Sequence, residues 1–277
     1  MFFTSLITPA ILLVLYATFL GNVYRDSFVT NLPNTIALSD NLIEGLVGGQ
    51  LISSLLAVSC VTVAFCSNFL MVQDKANGCI KDLRISPMSP SMLSISYYVA
   101  TLFSTLLICY VATGICLAYV AVVGWYMSVS DVICLLLDVM LLVLFGTALS
   151  SIINFFLSTQ GQISAVGTVI SAGYGFICGA YMPISSFGTG LQKVLSFFPG
   201  TYGTALVRNH AMQGALSAMQ NEGMPAEVIK SVKDSLDCNL YFFGDQVSKG
   251  AMYGILSITV CVLVVVYVLM NTLKKRD

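Results

Sequence analysis

From Leu46 to Val72 the chain runs without one charged side chain. A helix of about 20 mainly apolar residues is enough to cross the hydrocarbon of a bilayer, so this run is long enough to span. It is not alone. Comparable stretches lie at about residues 2–21, 92–123, 131–157, 163–182 and 250–273. In hydrocarbon every backbone N–H and C=O must find its partner within the protein, and a helix supplies those partners locally. Composition agrees: 57% of residues are hydrophobic and 9% charged, against about 25% charged in a soluble domain, so the charges are too few to cover a water-facing surface. The expected fold is an all-α polytopic membrane protein with six transmembrane helices. Two short re-entrant or interfacial helices are expected before the last span.

Several function classes fall away on composition. A net charge of −1 gives no reason to expect nucleic acid as a partner. The nine cysteines sit mostly inside apolar runs, where they read as small buried hydrophobes rather than a disulfide framework. Cys79 falls in a loop assigned to the cytosol and Cys238 in a segment assigned outside. His210 is the single histidine, so no histidine-pair metal site is expected, and no catalytic residues are assigned. No glycine-rich stretch is followed by the Lys-Ser/Thr of a nucleotide-binding loop; if ATP is used, another polypeptide binds it. Met1–Leu20 lacks a basic opening and a small-residue cleavage site and carries Pro9 early, so it reads as the first span rather than a signal peptide. No internal repeat or linker divides residues 1–277, which read as one transmembrane domain.

Basic residues near span ends set the orientation. With both termini inside, Lys75, Lys81, Arg84, Lys274, Lys275 and Arg276 fall in two short cytosolic segments. Arg25, Lys193, Arg208, Lys230, Lys233 and Lys249 are spread over longer outer loops rich in acids. The expectation is a multi-pass protein of the plasma membrane with cytosolic termini. Residues 73–91 form a cytosolic loop and residues 183–249 a long outer segment. In the latter, 183–198 is apolar enough to dip into the outer leaflet. Pro199, Gly200 and Gly203 permit a reversal, and 204–217 can form a second short helix. A soluble amphipathic helix is expected over 225–236, with Val228, Ile229, Val232 and Leu236 as its stripe. Trp125 and Tyr126 sit in a turn at interface depth.

Few residues carry chemistry. Asp138 is the clear ionisable group within a span, where a bare carboxylate costs about 3 kcal/mol or more. It is either a relay or substrate contact on a translocation path, or a hydrogen-bonded acid facing a neighbouring helix. Gln50, Asn68 and Asn154 read as polar glue between helices or as ligand contacts. Ser171, Gly175 and Gly179 recur every four positions, which allows close helix approach either at a subunit interface or within one bundle. His210 reads as a solvated or packing residue. The loop QDKANGCIKDLRISPMSPS, from Gln73 to Ser91, can start a short helix at Asp74, and Pro87 cannot continue it.

That loop resembles the segment after the second span in permeases of the type-2 ATP-binding-cassette (ABC) exporters. There an acid, a glycine, a leucine and a Ser-Pro or Thr-Pro pair recur in order; here they are Asp74, Gly78, Leu83 and Ser86-Pro87. Phe198-Pro199-Gly200-Thr201-Tyr202, followed by Ala205-Leu206-Val207-Arg208, is similar to the family's proline turn and arginine-ended helix between the last two spans. The resemblance implies an exporter permease whose coupling helix, with Asp74, Lys75, Gly78, Lys81, Asp82, Leu83, Arg84 and Pro87, docks on a separate ATPase. ATP and Mg would then sit on that partner, and this chain would bind no cofactor. It further implies a second permease subunit, in a homo- or heterodimer paired through the first and fifth spans. Family members usually begin with a cytosolic amphipathic helix. Here the first span starts almost at Met1, so that helix is either dispensable or this start is a shortened version of a longer protein. The alternative to an exporter is an ATP-independent carrier or channel using Asp138.

Overall fold

The computed structural model describes residues 39–80 and 89–273, with Val14, Thr18, Gly21 and Arg25 as single positions. The expected first span, the coupling residues Lys81, Asp82, Leu83, Arg84 and Pro87, and residues 274–277 lie outside the described residues.

Helix α1, Asp40–Ala76, has 37 residues and occupies the middle of the bundle. From Leu42 to Phe65 almost every residue is buried. A helix that is apolar all round has no face to give to solvent, so its neighbours surround it. Helix α2, Pro90–Val123, starts on a Ser89 cap whose hydroxyl accepts from Met92 N at 3.3 Å, with proline at the first helical position. Ser128 and Asp131 form a capping box that opens α3, Val129–Phe156, directly after the tight turn at Gly124. Helix α8, Lys249–Leu273, ends the described chain. Among the described residues these four helices are long and apolar enough to cross a membrane.

The expected fifth span differs. Helix α4 covers Gln160–Ile177, starting earlier and stopping earlier than residues 163–182. A Thr159–Gln162 capping box fixes its start. Its end is set by Gly179, whose φ of +72° turns the chain out of the helix. The Tyr181 ring then folds back so closely on Gly175 that a Cβ there would lie 2.3 Å from it. At 18 residues α4 is about 27 Å long and is not one of the four candidate spans.

A 3₁₀ turn, Ile184–Ser186, and helix α5, Thr189–Leu195, lead to helix α6, Pro199–Asn221. This last helix is longer than the short piece expected over 204–217, because its buried face continues from Tyr202 to Met219. Its path is re-entrant. The Phe198 ring meets Phe145, in the middle of α3, edge to face at 6.4 Å. Gly203 packs on Leu142, His210 on Asp138, and Gly214 on the Tyr126 carbonyl. The helix thus runs from mid-bundle towards the α2–α3 turn, antiparallel to α3. Helix α7, Ala226–Ser235, uses Pro225 as its N-cap and buries Ile229 and Val232, with Leu236 just beyond. A two-stranded hairpin, β1 Tyr241–Phe242 and β2 Asp245–Gln246, precedes α8. All nine cysteines are free, and Cys238 is buried.

The close approaches are made at glycines. A Cβ on Gly146 of α3 would lie 3.0 Å from Val61 Cα, and one on Gly49 would lie 3.0 Å from the Ala211 carbonyl. The tightest is Gly214, where a Cβ would fall 1.9 Å from the Tyr126 carbonyl oxygen. Gly214→Ala is therefore expected to cost about 2–3 kcal/mol through backbone displacement, read as a lower thermal midpoint in nanodiscs. Gly114→Ala, where the new Cβ meets nothing within 4 Å, is expected to be neutral or to gain about 0.5–1 kcal/mol of helix propensity.

Candidate functional site

Three polar groups tie the helices together, and the two that are buried hold α6. The first is centred on Asp138, 1% exposed on α3. Its Oδ2 lies 2.5 Å from His210 Nδ1 of α6, and the Tyr253 hydroxyl of α8 donates to Oδ1. Asp138 is thus a hydrogen-bonded acid facing neighbouring helices. Of the two readings of His210, solvated or packing, the second holds: it is the buried partner of Asp138, 8% exposed. No local signal in the sequence joins residues so far apart. The only available hint is that a lone buried acid in a span needs a partner, and the chain has a single histidine to offer.

The second group is centred on Arg208, midway along α6 and 1% exposed. Its Nη1 donates to the Leu236 carbonyl at 2.8 Å and its Nη2 to the Gly179 carbonyl at 2.8 Å; Ser54 Oγ of α1 lies 3.4 Å from Nη2. Asp237 Oδ2 is 3.7 Å away. Asp237 in turn accepts from the backbone N–H groups of Ile184 and Ser185. Burial pushes the Asp237 carboxyl above its ordinary range, opposed by Arg208 and by those two N–H groups. One guanidinium therefore fastens α1, the end of α4, α6 and the loop after α7. The expected turn residues lie about two turns before it, at the start of α6. Pro199 opens α6, the Tyr202 hydroxyl donates to the Ser196 carbonyl at 2.5 Å, and a Cβ on Gly200 would lie 2.6 Å from Tyr174 Oη.

The third group is at the other end of α1. Asp74 does not start a new helix: α1 continues to Ala76, since no breaker stands between Val72 and Asn77, and Gly78 (φ +83°) follows. The Asp74 carboxylate accepts from Tyr97 of α2 at 2.7 Å. Lys75 Nζ donates to the carbonyls of Asn154 and Phe155 at 2.9 and 3.0 Å, capping the negative end of α3. About two turns earlier and further in, Asn68 bridges to Ser150 and Ser151 at 3.0 and 2.8 Å. Gln50 and the Asn154 side chain are fully buried and find no acceptor or donor among the described residues.

Ser171, Gly175 and Gly179 come together differently from a uniform helix face. Gly175 and Gly179 serve the turn after α4, and the Ser171 carbonyl accepts from the Tyr181 hydroxyl at 3.2 Å. The exposed side of α4 carries the small Gly161, Ser164, Ala165, Thr168, Ser171 and Ala172 together with the larger Gln162, Val169 and Phe176. No cluster of three or more histidine, cysteine or acidic residues able to hold a metal occurs among the described residues.

Long apolar helices around a re-entrant segment, tied by buried polar groups, define a polytopic membrane protein. Residues 1–211 match the model of the ABC-2 type transporter family. The chain belongs to that family and is a membrane permease of an ABC transporter; such permeases generally pair with an ABC ATPase subunit. No curated protein matches the sequence.

Removing one partner of a buried hydrogen-bonded pair leaves the other unsatisfied, at about 1–3 kcal/mol. Asp138→Leu is expected to lower stability by an amount near the top of that range, because His210 and Tyr253 both lose their partner. The double variant Asp138→Leu/His210→Leu is expected to recover part of the loss, because neither polar group is then stranded. Thermal unfolding of the four proteins of this cycle measures the coupling directly.

Proposed function

We propose that the chain is the permease subunit of an ABC exporter, moving a substrate outward with ATP hydrolysed on a separate ATPase. The observation that carries this reading is the joint at the end of α1. The family places ATPase contact at the loop that follows, 73–91, with Lys81, Asp82, Leu83, Arg84 and Pro87. Asp74 and Lys75 stand at the root of that loop and bond to α2 and α3 rather than projecting freely. A push on the loop is therefore shared at once among α1, α2 and α3. ATP binding on the partner would shift the population between inward- and outward-open arrangements of these helices. ATP and Mg belong to that partner.

Two permeases would pair around a common path, through the first span and α4. The exposed Gly161, Ala165, Thr168 and Ala172 of α4 support this, since small side chains let helix backbones approach in a membrane, and the exposed Val169 and Phe176 beside them offer apolar contact. Both termini would be cytosolic and the membrane the plasma membrane. A carrier coupled through Asp138 is the weaker reading, because both carboxylate oxygens are already engaged by His210 and Tyr253.

The test is purification of the tagged chain from native membranes in mild detergent. The expected outcome is a stoichiometric ATPase carrying nucleotide-binding motifs. Charge reversal at Lys81 and Arg84 is expected to strip that ATPase from a still monodisperse permease and to abolish permease-stimulated ATP hydrolysis. Full retention of both by the double variant, or reproducible absence of any ATPase from the intact wild type, would overturn the proposal.

A further inference from the structure

The hairpin before α8 makes a costly choice at its tip. Its two loop residues, Phe243 and Gly244, have φ of +52° and +105°. Positive φ at both positions is what a two-residue type I′ turn requires, and Asn-Gly is the sequence such turns favour. A bulky side chain at positive φ is a backbone outlier, seldom seen without a reason. The reason is not packing in the protein core, because Phe243 is 61% exposed.

The exposed ring has company. Phe243 meets Phe242 at 4.9 Å and Phe197, which follows α5, at 5.9 Å; Phe197 and Phe242 lie 5.2 Å apart, all edge to face. Phe197 is 64% exposed, and Leu191 and Val194 of α5 extend the patch. Lys193 Nζ stands 5.7 Å above the Phe243 ring. In water such a patch is an association hazard. Aromatic rings beside a lysine are, however, the composition found where headgroups meet acyl chains: the ring sits in the boundary and the amine reaches a phosphate. Position agrees with chemistry. Only Val247 and Ser248 separate the hairpin from α8, a span by length and composition whose exposed side carries Ile255, Ile258 and Val262.

We infer that the Phe242–Phe243 hairpin tip, with Phe197 and Lys193, is an interfacial anchor inserted in the phospholipid surface beside α8. It holds the re-entrant segment at a fixed depth, independently of what the protein transports. The cation and the three rings favour phospholipid over a second protein copy as the occupant, since a lysine at the rim finds phosphates in every headgroup layer.

The chain has one tryptophan, Trp125, so a single reporter is readily made. The full chain carrying Trp125→Phe and Phe243→Trp is placed in nanodiscs of phosphatidylcholine and phosphatidylglycerol. The expected result is blue-shifted emission, strong quenching by lipids spin-labelled near the headgroup, and weak quenching by aqueous iodide. Strong iodide quenching with little effect of the spin-labelled lipids would show a water-exposed tip and overturn the inference. Protection from both quenchers would show a protein partner covering the tip and would overturn it equally. Should the Phe243→Trp chain not fold, Phe242→Trp, at an ordinary strand position, carries the reporter with the same three outcomes.

Discussion

Helix α1 is enclosed by protein along most of its length, and the rest of the architecture depends on how that is achieved. Lipid tails are as apolar as leucine, so burying an apolar helix among others gains little from the hydrophobic effect within a membrane. Association must come from close packing and from polar groups that hydrocarbon cannot satisfy. Both are visible around α1. Gly49 and Gly146 bring α6 and α3 within backbone contact, and Asn68, Lys75 and Ser54 supply polar links to α3 and Arg208. Large side chains at either glycine would separate the helices and lengthen those polar links.

The re-entrant helix is the element most exposed to that problem, since it neither spans the bundle nor lies wholly outside it. Two buried polar ties compensate, one made by its own Arg208 and one by Asp138 of α3. Arg208 takes up carbonyls left open where α4 ends and where the chain leaves α7, and Asp138 receives donors from α6 and α8. Irregular backbone at membrane depth is tolerated only where protein satisfies it, and one guanidinium does so for two chain reversals together. The polar residues of this segment are consequently structural ties between helices.

Long spans were legible because hydrocarbon imposes a length and a composition that a sequence displays directly. The runs at 46–72, 92–123, 131–157 and 250–273 each lie within or nearly coincide with a helix. Helix ends were less legible. The end of α4 depends on a positive φ at Gly179 and on the Tyr181 ring, whereas hydropathy alone carries the run on to Met182. Asp74 resembled a helix start because acids favour that position, yet nothing before it breaks α1. The Asp138–His210 contact had no local signal, since it rests on the three-dimensional return of α6 along α3.

At 37 residues α1 is about 55 Å long, well beyond the thickness of hydrocarbon it crosses. One tip carries Asp40, which meets Arg25 at 2.8 Å; the other carries Asp74 and Lys75. A rigid rod of that length is a lever. A swing of about 5° around its midpoint moves each tip by about 2.4 Å, enough to break or remake a hydrogen bond at both ends, while groups near the fulcrum barely shift. The contact of Gly146 with Val61, near the centre, can thus stay closed while the tips exchange partners, so small rotations are read at the two ends and not in the middle.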